Sequence, residues 1–540
     1  MNTKHEAVGL SDEAVSKIFS STWFGRSLVS GSGAKLWKDG NVCILNQPPY
    51  CLEVPVDWLD DPYNHRSWRW ILNAFQWMDQ LLARFKLNQD EVAIQTCATY
   101  FLDWAKFYII GEREGEFLWK DDAVSFRTFR LSIIAAYIFD SGHYSDEEVG
   151  LTEDILHKHY LELSNPKKFK SNNHGIFQMR ALMSLLTLHP SVGDVAESKK
   201  YVTKRLNWLW GRQYGTQNIH LENSTGYHQY IVKEFEEMLD SPELEGLRFS
   251  FGEEKIKEVK DNTKFLFHPN GTGTLFGDSN LVQQEHEVVT GDHIFNEAGY
   301  AILAGSEPTR DNSYLAIRTG FPSNAHRHSD DFSFEWSEKG QVILQDSGRY
   351  SYDYSNPFRV FVSSTRAHNT VSVNGGNYPW WGEFKKTDFY EGAVKKYSGT
   401  GKESSILLEK TFENQQVEFS RNIEFLKGKA LTVVDALRGN GENCYEQWFH
   451  FSELFDYVGE DETGFVRFRG DKFFVVVRPP DNSEVFVVKG QEDPYIQGWV
   501  SYKEKKMAPR WSLGFLKKGA GSVEFSTKLE VRESLEGEME

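Results

Sequence analysis

The hydrophobic positions change period once along the chain. From Trp68 they fall at Trp68, Ile71, Leu72, Phe75, Met78, Leu82 and Phe85, the i, i+3, i+4, i+7 stripe of one amphipathic helix. Asn88 stands where an N-cap of the next helix belongs, and Val92, Ile94, Cys97, Phe101, Trp104 and Tyr108 follow. Similar segments recur over 123–139, 145–163, 174–188, 194–210 and 227–239. Their short connections, holding Gly, Pro, Asn and Asp, predict antiparallel helical hairpins. Such hairpins close into a ring or toroid, or stack as a solenoid. No repeat of about 34 or 40 residues is visible, which disfavours the familiar solenoids.

After Phe267 the loop HPNGTGTLFGDSN intervenes and the period becomes two. SYLAIRTG, DFSFEWSEKGQVILQDSG, NTVSVNGG, KFFVVVRPP and SEVFVVKG read as strands bounded by turn residues. FSFEW and QVILQ, joined by Ser337-Glu338-Lys339-Gly340, are expected to form a hairpin. The expected architecture is α+β and multidomain. A helical domain over 61–268 is followed by an antiparallel β-sandwich domain over 269–540. Residues 1–60 are an extension packed on the helices, and the terminal EGEME is a solvated tail.

The 540 residues exceed one ordinary core, in keeping with that division. The net charge of −18 argues against a general nucleic-acid binder and against adsorption to an anionic membrane. It leaves room for an acidic ligand in a locally positive groove. No run of ~18 uncharged apolar residues exists, and the first residues lack an apolar signal core. The chain as given reads as cytoplasmic, or as secreted or periplasmic if a signal has been removed. Four cysteines cannot build a disulfide scaffold. Cys97 reads as a buried helical thiol, and Cys43 and Cys51 could pair across a loop. Aromatic residues make up 14% of the chain, enough for large cores and also for platforms on which sugar rings stack.

Three clusters carry candidate chemistry. Asn172-Asn173-His174 follows Lys167, Lys168 and Lys170 at a helix start, where backbone N–H groups favour an anion, or where Asn simply caps. Glu222-Asn223-Ser224-Thr225-Gly226-Tyr227-His228 is a second helix start. In Ala325-His326-Arg327-His328-Ser329-Asp330-Asp331 the two histidines share one face of an extended chain. Asp346 and His368, beside later strands, would complete a zinc-type set with His328 if neighbouring strands bring them together; their spacing does not require it. No nucleophile elbow, phosphate-binding loop or dinucleotide fingerprint is present.

In their order, NNHGIFQ, ENSTGYHQ, GDSN, HRHSDDFSFEW, QDSGRY and STRAHNTVSVNG, these motifs resemble the heparinase II/III-like polysaccharide lyase family. The resemblance implies an N-terminal (α/α) toroid, an incomplete barrel, before the β-sandwich. It implies β-elimination at C4 of a uronic acid, leaving a 4,5-unsaturated sugar. Such a reaction needs the carboxylate charge shared, a base at the C5 hydrogen and an acid at the leaving O4. By the resemblance Asn173, with His174 beside it, bonds the carboxylate. Tyr227 is base, acid or both, and His326 transfers a proton or neutralises charge. Arg366, Gln178 and Glu222 are expected to bind substrate, Arg366 also supplying charge that lowers the Tyr227 pKa from about 10. His328, Asp346 and His368 hold one structural zinc ion. Some relatives carry a carboxylate where this chain has Phe177. The implied substrate is an acidic polysaccharide, a glycosaminoglycan such as hyaluronan, chondroitin sulfate or heparan sulfate. Alginate or a bacterial capsular polymer is the alternative, and a two-carboxylate hydrolase or a non-catalytic glycan binder the rival classes.

Overall fold

The stripe from Trp68 to Phe85 belongs to two helices, Arg66–Asn73 and Asp79–Asn88, separated by a short 3₁₀ turn. This is seen in a computed structural model that describes residues 10–28, 37–38, 40–45, 47–379, 389–390 and 392–533. Phe75 breaks the stripe with φ +60°, a left-handed conformation unfavourable for an L-residue. Its ring offsets that strain: it is fully buried between Trp58 and Trp104. Asn88 ends the second helix, and Asp90 caps the next, Glu91–Ala105, by accepting from the Ala93 N–H.

The other predicted helices appear as Asp121–Asp140, Asp146–Ser164, Asn173–Leu188, Val195–Tyr214 and Thr225–Leu239. Ser145 and Glu148 cap Asp146–Ser164 reciprocally. Helix Asp121–Asp140 is buried nearly all round, because Glu91–Ala105, Asp146–Ser164 and Asn173–Leu188 pack against it. The chain divides into two compact units, Met1–Gly211 with Lys233–Glu254, and Arg212–Val232 with Lys255–Glu540. The segment carrying Glu222 and Tyr227 therefore belongs to the unit that holds the five-stranded and ten-stranded sheets.

In that second unit five antiparallel strands form a meander: His293–Phe295, Tyr300–Ala304, Tyr314–Arg318, Phe334–Glu338 and Gln341–Leu344. A larger antiparallel sheet is built around the long strands Ala430–His450 and Trp511–Arg532. Leu303, Leu315, Ile317 and Trp336 of the first share one core with Leu408, Phe419, Leu431 and Phe515 of the second, which makes a sandwich. The outer face of the meander is covered too. Tyr300, Ile302 and Tyr314 pack on Ile219, Phe265 and Phe276. The expected hairpin forms, but its turn is only Lys339-Gly340, both at positive φ, with Glu338 opposite Gln341.

All four cysteines are free thiols, Cys43 and Cys51 included. Among the described residues no helix is long and apolar enough to cross a membrane. The EGEME tail lies outside the described residues.

Candidate active site

The first unit presents Asn172-Asn173-His174 at the start of helix Asn173–Leu188. Asn172 caps it, its side chain accepting from the His174 N–H at 3.1 Å. A Cβ at Gly175 would meet the Lys170 carbonyl at 2.1 Å, so only glycine lets the preceding loop approach so closely. His174 Nδ1 lies 2.6 Å from Asp121 Oδ2. Burial would raise the Asp121 pKa, but the hydrogen bond and charge of His174 outweigh it and hold the carboxyl below its ordinary value. Gln178 is buried and holds the loop, donating to Lys168 O and accepting from Lys170 N. Phe177 packs on the Phe126 ring, centroids 5.0 Å apart. Lys120, Lys167, Lys168 and Lys170 line a cavity of about 330 Å³ with Asp121, Glu162 and Gln178, Lys168 pairing with Glu162.

In the second unit the ENSTGYH and GDSN motifs are bound to each other. Ser224 Oγ donates to the Asp278 carbonyl, and Ser279 Oγ accepts from the Gly226 N–H. Asn223 donates to Ser323 O and Ala325 O and accepts from Arg318, fixing the loop before His326. Gly277, at φ +59°, leaves no room for a Cβ, which would lie 2.4–2.5 Å from the carbonyls of Asn223 and His326. His326 itself has φ +55°, a strained backbone for a β-substituted residue and common where a side chain must be aimed.

That backbone stacks the His326 imidazole on the Tyr227 ring, centroids 3.5 Å apart and planes within 19°. His326 Nδ1 is 3.2 Å from Asp278 Oδ2, and Nε2 is 3.7 Å from Glu222 Oε2. Glu222 is buried and accepts from Gln213 through its other oxygen. Asp278 is the hub, for its Oδ1 also accepts from Arg359 Nη1 at 2.5 Å and meets His328 Nε2 at 3.1 Å. Burial alone would raise the Asp278 pKa. The Arg359 charge and the two histidine hydrogen bonds outweigh that and hold the carboxyl well below the ordinary value. Tyr227 Oη is 2.7 Å from Tyr352 Oη. Burial, then the neighbouring Tyr352 and Asp278, push the Tyr227 pKa well above the ordinary tyrosine value, so the hydroxyl is protonated at neutral pH. The group thus offers a neutral phenol, an imidazole anchored to a carboxylate, and a buried guanidinium behind it.

Arg366 stands elsewhere in this unit. Its guanidinium makes a two-point pair with Glu446, at 2.5 and 2.6 Å, and lies over Tyr495. The cations that face the tyrosines are Arg349 and Arg359. Neither they nor Asp278 and Tyr352 were assigned roles from the sequence. GDSN and QDSGRY, already read as motifs, contain Asp278 and Arg349, while no motif contains Arg359 or Tyr352.

His328, Asp346 and His368 are brought together, with one potential ligand atom from each within 4.8 Å of the others. All three are buried, and His368 Nδ1 lies 2.9 Å from Asp346 Oδ1. Among the described residues, His328 Nδ1 and His368 Nε2 are buried without a hydrogen-bond partner. Orphaned imidazole nitrogens of this kind are costly unless something binds them, so the donor set fits a metal ion.

The heparinase II/III N-terminus family model matches residues 40–296, and the heparinase II/III-like, C-terminal model matches 288–517. Among solved structures the chain is similar to a heparinase III at 16% identity, covering 99% of this chain and 88% of that one with a TM-score of 0.72. It is similar to the heparan sulfate lyase HepC from Pedobacter heparinus at 16% identity, with 99% and 85% covered and a TM-score of 0.62. Similarity extends to the chondroitin AC lyase of Streptomyces coelicolor A3, at 10% identity, 99% and 81% covered, and a TM-score of 0.53. Identities this low speak to fold alone. No curated protein sequence matches the chain. With both family models matched in order along a helical part and an antiparallel β part, the chain belongs to the heparinase II/III-like polysaccharide lyase family.

Proposed function

We propose that this lyase cleaves a uronate-containing glycosaminoglycan by β-elimination, with Tyr227 and His326 at the reacting sugar. The observation that carries the reading is the Tyr227–His326 stack anchored by Asp278. A neutral phenol beside an imidazole on one surface supports proton transfer there, the phenol being suited to protonate a leaving oxygen. Solved structures of the same fold include a heparan sulfate lyase and a chondroitin lyase, which supports a glycosaminoglycan, and a xanthan lyase, which keeps a bacterial exopolysaccharide as the alternative. The lysine-lined cavity of the first unit supports an anionic ligand on a chain whose net charge is −18. Asn173 and His174 are assigned to the uronate carboxylate by their motif. Removing the Asn173 amide is expected to raise KM and lower kcat together. Gln178, Glu222 and Arg366 keep supporting roles, since each side chain already has an internal partner. A panel of hyaluronan, chondroitin sulfate, heparan sulfate and alginate, assayed for unsaturated products, tests the substrate class. Turnover of alginate alone would refute the glycosaminoglycan assignment.

For the metal we propose one zinc ion held by His328, Asp346 and His368, the ligand types zinc prefers. When bound, it supplies a structural crosslink between the strand-edge segments around His326. Because such an ion binds only the folded site, chelation is expected to lower the unfolding temperature, by roughly 2–4 °C for each kcal/mol of lost binding energy in a domain this size. Activity falls with it, and added zinc restores both. Loss of turnover at an unchanged unfolding temperature contradicts a structural role. Absence of bound metal after zinc is supplied removes the site.

A further inference from the structure

Among the described residues, the tyrosine named by the motif makes no hydrogen bond to a cation. Tyr352 does, and it hydrogen-bonds to Tyr227 at 2.7 Å. Arg349 Nη1 donates to Tyr352 Oη at 3.1 Å, and the same guanidinium lies 4.8 Å from the Tyr352 ring centroid. Arg359 lies 5.8 Å from that ring. Arg349 is held in turn by Glu504 at 3.2 Å. Arg349 therefore stabilises negative charge on Tyr352 through a direct hydrogen bond, and on Tyr227 only at longer range. The remaining ionisable groups around Tyr352 are Asp278, whose charge opposes them, the His326 ring at 6.5 Å, and Tyr354, which bonds Arg359.

We propose that Tyr227 and Tyr352 act as one base, with the phenolate charge resting on Tyr352 beside Arg349 and Tyr227 conducting the proton. This rests on the lyase reading above. In the reaction the C5–H bond breaks and its proton goes to Tyr227 Oη, while the Tyr227 proton passes to the Tyr352 phenolate. The C5–H electron pair becomes the C4=C5 bond, and the C4–O4 bond breaks with its pair on oxygen. That oxygen takes the proton now on Tyr227, and Tyr352 returns its proton to Tyr227. The net transfer is from C5 to O4, and the pair ends as it began. The arrangement resolves a conflict at Tyr227. Burial holds its own ionisation far above neutral pH, yet it must accept a proton. At Tyr352 desolvation and Asp278 also lift the pKa above the ordinary tyrosine value, but Arg349 and the Tyr227 hydrogen bond oppose them and leave it displaced less far than that of Tyr227.

The test places a fluorinated tyrosine, whose phenol is more acidic, at position 352 or at position 227 of the full chain. Its fluorine resonance is titrated without substrate, and kcat/KM is measured against pH with the polysaccharide that is turned over. The proposal expects the probe at 352 to titrate below the probe at 227. It also expects the alkaline rise of kcat/KM to move to lower pH with the probe at 352. Tyr352→Phe should lower kcat by about 10²-fold with KM little changed. Arg349→Gln should move the rise to higher pH, and Arg349→Lys should restore it in part. A rise that moves only with the probe at 227, or a probe at 352 that titrates above the one at 227, overturns the proposal and leaves Tyr352 a positioning residue. The fluorine titration needs no turnover. If no unsaturated product forms at all, the lyase reading fails while the titration still locates the charge.

Discussion

Asp278→Ala is expected to lose about 3–5 kcal/mol of folding stability, the usual cost of breaking a buried ion pair from one side, and to lose turnover with it. Asp278 is buried and accepts from Arg359 while meeting both His326 and His328. Its removal leaves the Arg359 guanidinium buried without a carboxylate, although Tyr354 and the Arg349 carbonyl still accept from it. It also frees the His326 ring from the group that fixes Nδ1. Asp278→Asn keeps an acceptor and loses the charge, so it should fall between wild type and Asp278→Ala. Because the folded carboxyl ionises below its unfolded value of about 3.9, its contribution is complete at neutral pH. It is lost only as the pH falls below that value towards the folded pKa. Denaturant midpoints and kcat measure the two effects. A loss under about 1 kcal/mol, as for a surface pair, would show that Asp278 is not the hub described.

Tyr227→Phe is expected to lower kcat by about 10²-fold or more, with KM and unfolding temperature nearly unchanged. Phenylalanine keeps the ring stacked on His326, and the lost hydroxyl has Tyr352 as its hydrogen-bond partner. Stability therefore changes little while the proton path is cut. Near-normal turnover would remove Tyr227 from the reaction, and a large fall in unfolding temperature would mean that the hydroxyl is structural.

The order of textures was legible because each half obeys its own period, and the boundary loop at His268 is rich in turn residues. Breaks inside a texture were not. Phe75 belongs to the apolar stripe by type, and only burial between two tryptophans makes its left-handed backbone tolerable. The strand Ala430–His450 runs through Gly439, Asn440 and Gly441, turn-type residues that here form a bulge in an uninterrupted strand. Tyr227 and His326 were named through motifs, and the fold stacks their rings. Tyr352 lies 125 residues from Tyr227, and no local pattern ties the two. The metal-type set was legible as residue types and required the fold to bring His328, Asp346 and His368 together. Polar residues near a motif are the hardest to read. Gln178 and Arg366 look like substrate ligands in sequence, and the fold gives them the Lys168–Lys170 loop and Glu446 as partners. Sequence records that a group can hydrogen-bond, not which way it points.

The most direct test of the central claim follows the product of cleavage. Chondroitin sulfate, heparan sulfate and hyaluronan are incubated with the protein, and ultraviolet absorbance and new reducing ends are counted together. β-Elimination creates a C=C conjugated to the uronate carboxylate, so each cut should add one absorbing unsaturated end along with one reducing end. The account predicts that equality, and the near-complete loss of both signals in Tyr227→Phe. Reducing ends without absorbance would mean hydrolysis, and neither signal on any acidic polysaccharide would mean that the fold binds glycans without cutting them.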